Sequence, residues 1–110
     1  MRPYTTPSLS TVAISAPYQV DYMQGDFNLG LSVNVVSGAN TSTVEYSLDD
    51  PHAVYATDYN TNATWHEVAG LVDITANTAL SMTIPCRAVR LNMSVASSGS
   101  ANLTIVQAHA

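Results

Sequence analysis

The chain has 110 residues, of which 46% are hydrophobic and only 10% charged, and its formal net charge is −5 with no lysine. That length holds one core and not two, and so apolar a chain is not disordered by composition. Arg2, Arg87 and Arg90 are its only cations besides histidine, too few to neutralise a nucleic-acid backbone, and the acidic balance opposes adsorption to anionic membranes.

Ser, Thr and Asn stand where an ordinary soluble domain carries about a quarter charged residues. A surface of this kind is easily desolvated against a partner, although Ser/Thr/Asn-rich sandwiches with no partner have the same composition. The single cysteine, Cys86, excludes an intrachain disulfide framework and a multi-cysteine zinc site. Between Pro85 and Arg87 it reads as an inert small residue at a strand edge. No apolar run reaches the ~20 residues of a membrane span. Residues 1–7 lack the apolar stretch of an export signal, so no signal peptide is expected. The Asn-x-Ser/Thr matches at Asn40, Asn62, Asn92 and Asn102 then read as chance.

In chain order, residues 1–8 carry two prolines and few apolar anchors. They predict an extended N-terminal arm, ordered on a neighbour, ahead of a domain at 9–110. A weak strand is expected at Thr11–Ser15, followed by an irregular stretch in which Tyr18 and Tyr22 flank Gln19-Val20-Asp21. From 27 to 35 the odd positions are Phe27, Leu29, Leu31, Val33 and Val35, and the even ones are Asn28, Gly30, Ser32 and Asn34. Strict period-two alternation is the mark of a half-buried strand and cannot come from a helix. Val44, Tyr46 and Leu48 alternate with Thr43, Glu45 and Ser47, and Ser37-Gly38-Ala39-Asn40 is a cluster of turn formers. Residues 27–48 therefore predict a hairpin.

A weak strand is expected at Val68–Ile74, and Leu80, Met82 and Ile84 line one face of a strand closed by Pro85. Val89, Leu91, Met93 and Val95 alternate with Ala88, Arg90, Asn92 and Ser94. The turn at Ser97-Ser98-Gly99-Ser100 leads to Leu103 and Ile105, set against Asn102, Thr104 and Val106. This predicts a second hairpin. About seven short strands with turns between them predict an all-β fold, a single antiparallel β-sandwich of jelly-roll or immunoglobulin-like type.

Residues 49–67 form the long irregular segment, and long loops on rigid sandwiches carry binding contacts. Asp58-x-Asn60-x-Asn62 starts like a calcium loop, but Ala63 replaces the required glycine and Ala69 the closing glutamate. His66-Glu67 opens like a zinc-protease motif, yet Gly70 stands where the second histidine is needed. Asp49 and Asp50, being adjacent, point to opposite faces of an extended chain and cannot share acid–base work. No nucleophile elbow, phosphate loop or Cys/His pair occurs. The expectation is a non-catalytic protein without metal or cofactor. Trp65 reads first as a core or edge anchor, while Tyr55 and Tyr59 are candidates for exposed contacts.

Val44-Glu45-Tyr46-Ser47-Leu48-Asp49-Asp50, then Trp65, then Ile84-Pro85-Cys86-Arg87-Ala88-Val89-Arg90-Leu91-Asn92 and finally Leu103-Thr104-Ile105-Val106-Gln107 form a series of short motifs. The series resembles small virion proteins of tailed bacteriophages, over about residues 27–108. The resemblance implies a capsid cement or decoration protein, or a small neck or tail component, assembled in the bacterial cytoplasm and found in the virion. The implied partners are the major capsid protein or another virion protein, and further copies of itself. Nucleic acid and membrane are not expected as partners. Contact residues expected on this view are Arg2, Pro3, Tyr4, Tyr18, Tyr22, Tyr55, Tyr59 and Arg90. Two other readings stay open: a carbohydrate-binding or adhesin module using Tyr55, Tyr59 and Trp65, and an accessory domain of a hydrolase.

Overall fold

A computed structural model describes residues 4–20, 28–37, 40–49, 59–96 and 99–107, with Ser37 described by its backbone alone. The strands are β1 (Tyr4–Thr5), β2 (Ala13–Ile14), β3 (Tyr18–Gln19), β4 (Leu29–Ser37), β5 (Asn40–Ser47), β6 (His66–Glu67), β7 (Thr78–Met82), β8 (Ala88–Ala96) and β9 (Ser100–Gln107). One short helix, α1 (Tyr59–Asn62), precedes β6. Two antiparallel sheets pack face to face, the β-sandwich that the alternation predicts. The front sheet runs β1-β9-β4-β7 and the back sheet β2-β8-β5-β6, with β3 also on β8.

The core lies between the sheets. Leu29, Leu31 and Val33 of β4 and Ala101, Leu103 and Ile105 of β9 meet Val44 of β5 and Val89, Leu91 and Met93 of β8, all buried. Their burial follows from the period of two, since every second side chain of each strand points inward.

Neither expected hairpin forms. β4 bonds to β7 and β9, whereas β5 bonds to β6 and β8. The turns at 37–40 and 96–100 therefore carry the chain from one sheet to the other. Alternation records only which side of a strand meets the core. Two strands facing each other across the core satisfy it as well as two strands side by side. The pairing that does form is nested: β5 with β6, β4 with β7, β2 and β3 with β8, and β1 with β9.

Two irregularities interrupt the pairing at strand ends, and one of them reverses the in/out order. Opposite β5 the register steps from Ser42↔Met93 to Thr41↔Val95, so β8 carries an extra residue there. Beyond it Val95 turns outward, 48% exposed, and Ala96 packs inward. The alternation had placed Val95 in the core, and a bulge of this kind is what overturns it. In β4 Val36 is likewise an extra residue opposite β9, and it is exposed as its even position requires.

The segment expected as an arm lies, from Tyr4 onward, along β9 of its own sandwich. Tyr4 and Thr5 oppose Ile105 and Thr104. Thr6 N–H donates to the Leu103 carbonyl at 2.8 Å, and Leu9 and Ala101 exchange bonds of 2.8 and 3.0 Å. Without this cover the outer backbone groups of β9 would stand open as a sheet edge. Met1–Pro3 lie outside the described residues.

The strand expected at Val68–Ile74 is an irregular ribbon instead. Val68, Leu71 and Ile74 are buried at a spacing of three. Between them the chain bonds the edge of β5 through Val68 N–H to the Val44 carbonyl (2.9 Å), Val44 N–H to Leu71 (3.0 Å) and Ile74 N–H to Ser42 (2.7 Å). Gly70, at φ 91°, makes the turn possible, and a Cβ there would meet Leu80 Cδ2 at 2.8 Å. Gly70→Ala is therefore strained in backbone and in space. We expect it to cost roughly 1–3 kcal/mol, read from urea unfolding at constant m-value, and an unchanged midpoint would refute this account of the turn.

Candidate interaction surface

The outer side of the back sheet is closed by the segment 59–65. Arg90 of β8 stands opposite Glu45 of β5, and its Nε donates to Glu45 Oε1 at 2.8 Å. One terminal guanidinium nitrogen donates to the Asn60 carbonyl at 2.8 Å and to Asn60 Oδ1 at 2.7 Å. The guanidinium carbon lies 4.0 Å from the centre of the Trp65 ring, so the cation is stacked as well as paired. Trp65 Nε1 donates to the same Asn60 carbonyl at 3.2 Å, and Asn60 Nδ2 donates to the Ser15 carbonyl at 3.2 Å.

Tyr59 enters this cap edge-on to Trp65, the ring centres 5.6 Å apart at 67°. It packs with Ala63 and Ala88, and its hydroxyl donates to the Asp49 carbonyl at 2.8 Å. Burial, with Asp49 beside it, pushes the phenol above its ordinary pKa, though Ser47 and Arg87 oppose the shift. Tyr59 and Arg90 are both 7% exposed. This corrects their expected place on an accessible contact surface. Arg90 is held inside by a carboxylate, a carbonyl and an indole, and Tyr59 fills the space over Ala88. Trp65 is the anchor expected of it, and among the described residues Tyr59 and Trp65 meet edge to face and form no coplanar platform.

The other expected contact residues separate. Tyr4 of β1 and Tyr18 of β3 come together as a stacked pair, centres 4.4 Å apart at 17°, bridging the two sheets. Both also pack against the core. Arg2, Pro3, Tyr22 and Tyr55 lie outside the described residues.

Among the described residues no group of three or more His, Cys, Asp or Glu is placed to hold a metal ion. Asn60, central to the calcium-like motif, gives both its carbonyl and its Oδ1 to Arg90. Cys86 is 1% exposed, and burial pushes its thiol up to about 12, so little of it is thiolate near neutrality.

The alternation marks Asn28, Ser32 and Asn34 as an outward polar row where a partner would be sought, and Ser32 and Asn34 lie on the outer face of the front sheet. Across it the register aligns Thr5, Thr104, Ser32 and Ala79, then Val106, Gly30 and Ser81, then Asn102 and Asn34. The polar members bond one another: Thr5 Oγ1 with Thr104 Oγ1 at 3.0 Å, Asn34 Nδ2 to Asn102 Oδ1 at 3.1 Å and to Thr104 Oγ1 at 3.2 Å. No strand of this sheet carries a charged residue. The charged described residues, Glu45, Asp49, Glu67, Asp73, Arg87 and Arg90, all belong to the back sheet or its connections. Around Gly30 the face sinks into a shallow depression of about 360 Å³, lined by Ser32, Ala79, Ser81, Thr104 and Val106. Such a face has its hydrogen bonds largely met internally, and little charge hydration is lost when it is covered.

Removing Arg90 would leave Glu45, 14% exposed in its side chain, without its cation. Arg90→Ala is expected to destabilise by about 3 kcal/mol. Arg90→Lys is expected to recover only part of this, because Lys has no planar fork. A thermal melt of Arg90→Ala coinciding with that of the parent would contradict the structural role given to the cap. No protein-family model, no curated protein and no solved structure matches this chain.

Proposed function

We propose that this chain is a non-catalytic structural protein of a bacteriophage virion, which binds the capsid shell and stabilises it as a cement or decoration protein. One observation carries the reading: the front sheet turns outward a flat face of small neutral side chains, while the described charges sit on the other sheet. A protein that reinforces a preformed shell must cover area at low desolvation cost, and this is the face able to do so. The motif series running from Val44 to Gln107 adds its likeness to small virion proteins.

The nested pairing supports the jelly-roll alternative over the immunoglobulin-like one, since it makes the chain one long doubled hairpin rolled around its core. A sugar-binding module draws no comparable support. It needs exposed aromatics side by side, and Tyr59 is buried while Trp65 lies under Arg90.

The test is co-sedimentation of the purified chain with empty phage heads that lack a decoration protein. Charge is placed on the front face by Ser32→Lys and Thr104→Lys, and on the back by Thr64→Lys, at an exposed residue of the cap. The front-face variants are expected to lose binding at least about tenfold, the scale of a residue central to an interface, with Thr64→Lys unaffected. Equal binding by all three, or none by the parent, would overturn the proposal. Point substitution is preferable to deleting residues 1–8, because Tyr4–Thr6 cover β9 and their loss would unmask a sheet edge.

A further inference from the structure

The free edges of this sandwich are not alike. β1 is two residues long and soon followed by Pro7, β2 and β3 are two residues each with Pro17 between them, and β6 is two residues ending in Glu67. Short strands, prolines and charges are the usual means of preventing edge-to-edge association. β7 has none of them. It is five residues, Thr78-Ala79-Leu80-Ser81-Met82, without charge or proline and without a break in its register against β4.

The direction of its backbone groups follows from the ladder. Leu103 accepts from Thr6, and Ala101 exchanges bonds with Leu9, so the odd residues of β9 face β1. The even ones, Asn102, Thr104 and Val106, therefore bond Asn34, Ser32 and Gly30 of β4. That leaves the odd residues of β4 facing β7, as the Val35 N–H does in donating to Asn77 Oδ1 at 2.7 Å. Thr78, Leu80 and Met82 are then the residues of β7 that bond β4. Ala79 and Ser81 turn their N–H and C=O groups to the open side.

We infer that β7 pairs antiparallel with β7 of a second copy about a two-fold axis through Leu80, joining two front sheets into one. This register is self-complementary. Ala79 faces Ser81 of the second copy and Ser81 faces its Ala79, so all the open groups of those residues meet in hydrogen-bonded pairs. Leu80 faces Leu80 on the inner side, where cross-strand side chains come closest. There a cavity of about 220 Å³ adjoins the edge, its apolar wall made by Tyr46, Val68, Met82 and Ile84 with the exposed Glu67 beside them, and the apolar wall receives Leu80 of the incoming strand.

Charge selects a second copy as the occupant. Each chain has a net charge of −5, so two copies repel along most approaches. The front sheet has no charge on any strand, so joining it at β7 sets one neutral strand against another, and Glu67 is the one described charge that lines the cavity beside it. The inference goes beyond the shell reading and does not rest on it, because the seam lies at the sheet edge and the proposed shell contact on its face.

Light scattering after size exclusion, across micromolar to millimolar chain, decides the matter. The expected mass rises from 11.7 kDa toward twice that value. Ser81→Pro deletes an outward N–H while sparing the bonds to β4, and is expected to stay monomeric with an unchanged circular dichroism spectrum. Ala79→Lys, which sets a cation on the same edge, is expected to do likewise, and it keeps the test available if the proline variant misfolds. In the parent, amide exchange at Ala79 and Ser81 should slow with concentration while that at Leu103 does not change. A parent monomeric throughout, a complex of three or more copies, or dimers that persist in both variants would overturn the inference. Ser32→Lys and Thr104→Lys, which lie on β4 and β9 and leave the outward groups of β7 untouched, are expected to keep the dimer mass while losing shell binding, which separates this outcome from that of the proposed function.

Discussion

The contact between Arg90 and Glu45 holds together more of this molecule than any other single interaction. These residues face each other across β8 and β5, so the ion pair is also a register mark for the centre of the back sheet. A slip of one residue would turn Val89, Leu91 and Met93 out of the core. A slip of two would leave a nearly buried guanidinium and its carboxylate apart, each without its counter-charge. The same guanidinium carries Asn60 and Trp65, and through them Ser15 and Tyr59. One cation thus ties β8 to β5, to α1 and to the chain beyond β2.

That arrangement engages the described part of the long irregular segment. Loops of this composition carry binding sites when their polar groups are spare, but the described part of this one spends them on its own fold. Asn60 serves Arg90, Asp49 serves Tyr59 and Thr64, and the aromatic rings serve as lid. The opposite side of the sandwich is built differently. Its side chains are small and neutral, and several of them bond to each other. The resulting division of labour is physical: charge is kept where it is paired or solvated, and the sheet free of charge is the one that can be covered at little electrostatic cost.

Nested pairing also settles where open backbone is left over. Since each strand of the first half of the chain pairs with one of the second half, the sandwich ends in edges on both sides. Tyr4 to Leu9 seal one of them against β9, and the stack of Tyr4 on Tyr18 closes that side between the sheets. On the other side the irregular ribbon at 68–74 lines the edge of β5, and β7 stands uncovered. An edge that its own chain could have guarded and did not is a structural feature in its own right.

Most of the architecture of single strands was legible in the residues. The alternation at 29–33, 89–93 and 101–105 predicts the core side of β4, β8 and β9, because side-chain direction in a strand is local and repeats every two residues. Cys86 as an inert small residue and Trp65 as an anchor were legible from residue type, a lone small thiol and a lone large ring. Which strands are neighbours is not local, and only the tertiary structure decided it. β4 and β5 look like a hairpin in sequence and face each other across the core. Arg90 looks like a surface residue of an alternating strand until Glu45, 45 positions away, is set beside it under Trp65. The bulge in β8 that turns out Val95 has no signature in an alternating run, since it shows only against the register of β5. Hydrophobic period fixes a strand's faces by itself, but pairing, register and the neutrality of a whole sheet are sums over distant segments and exist only once the chain has folded.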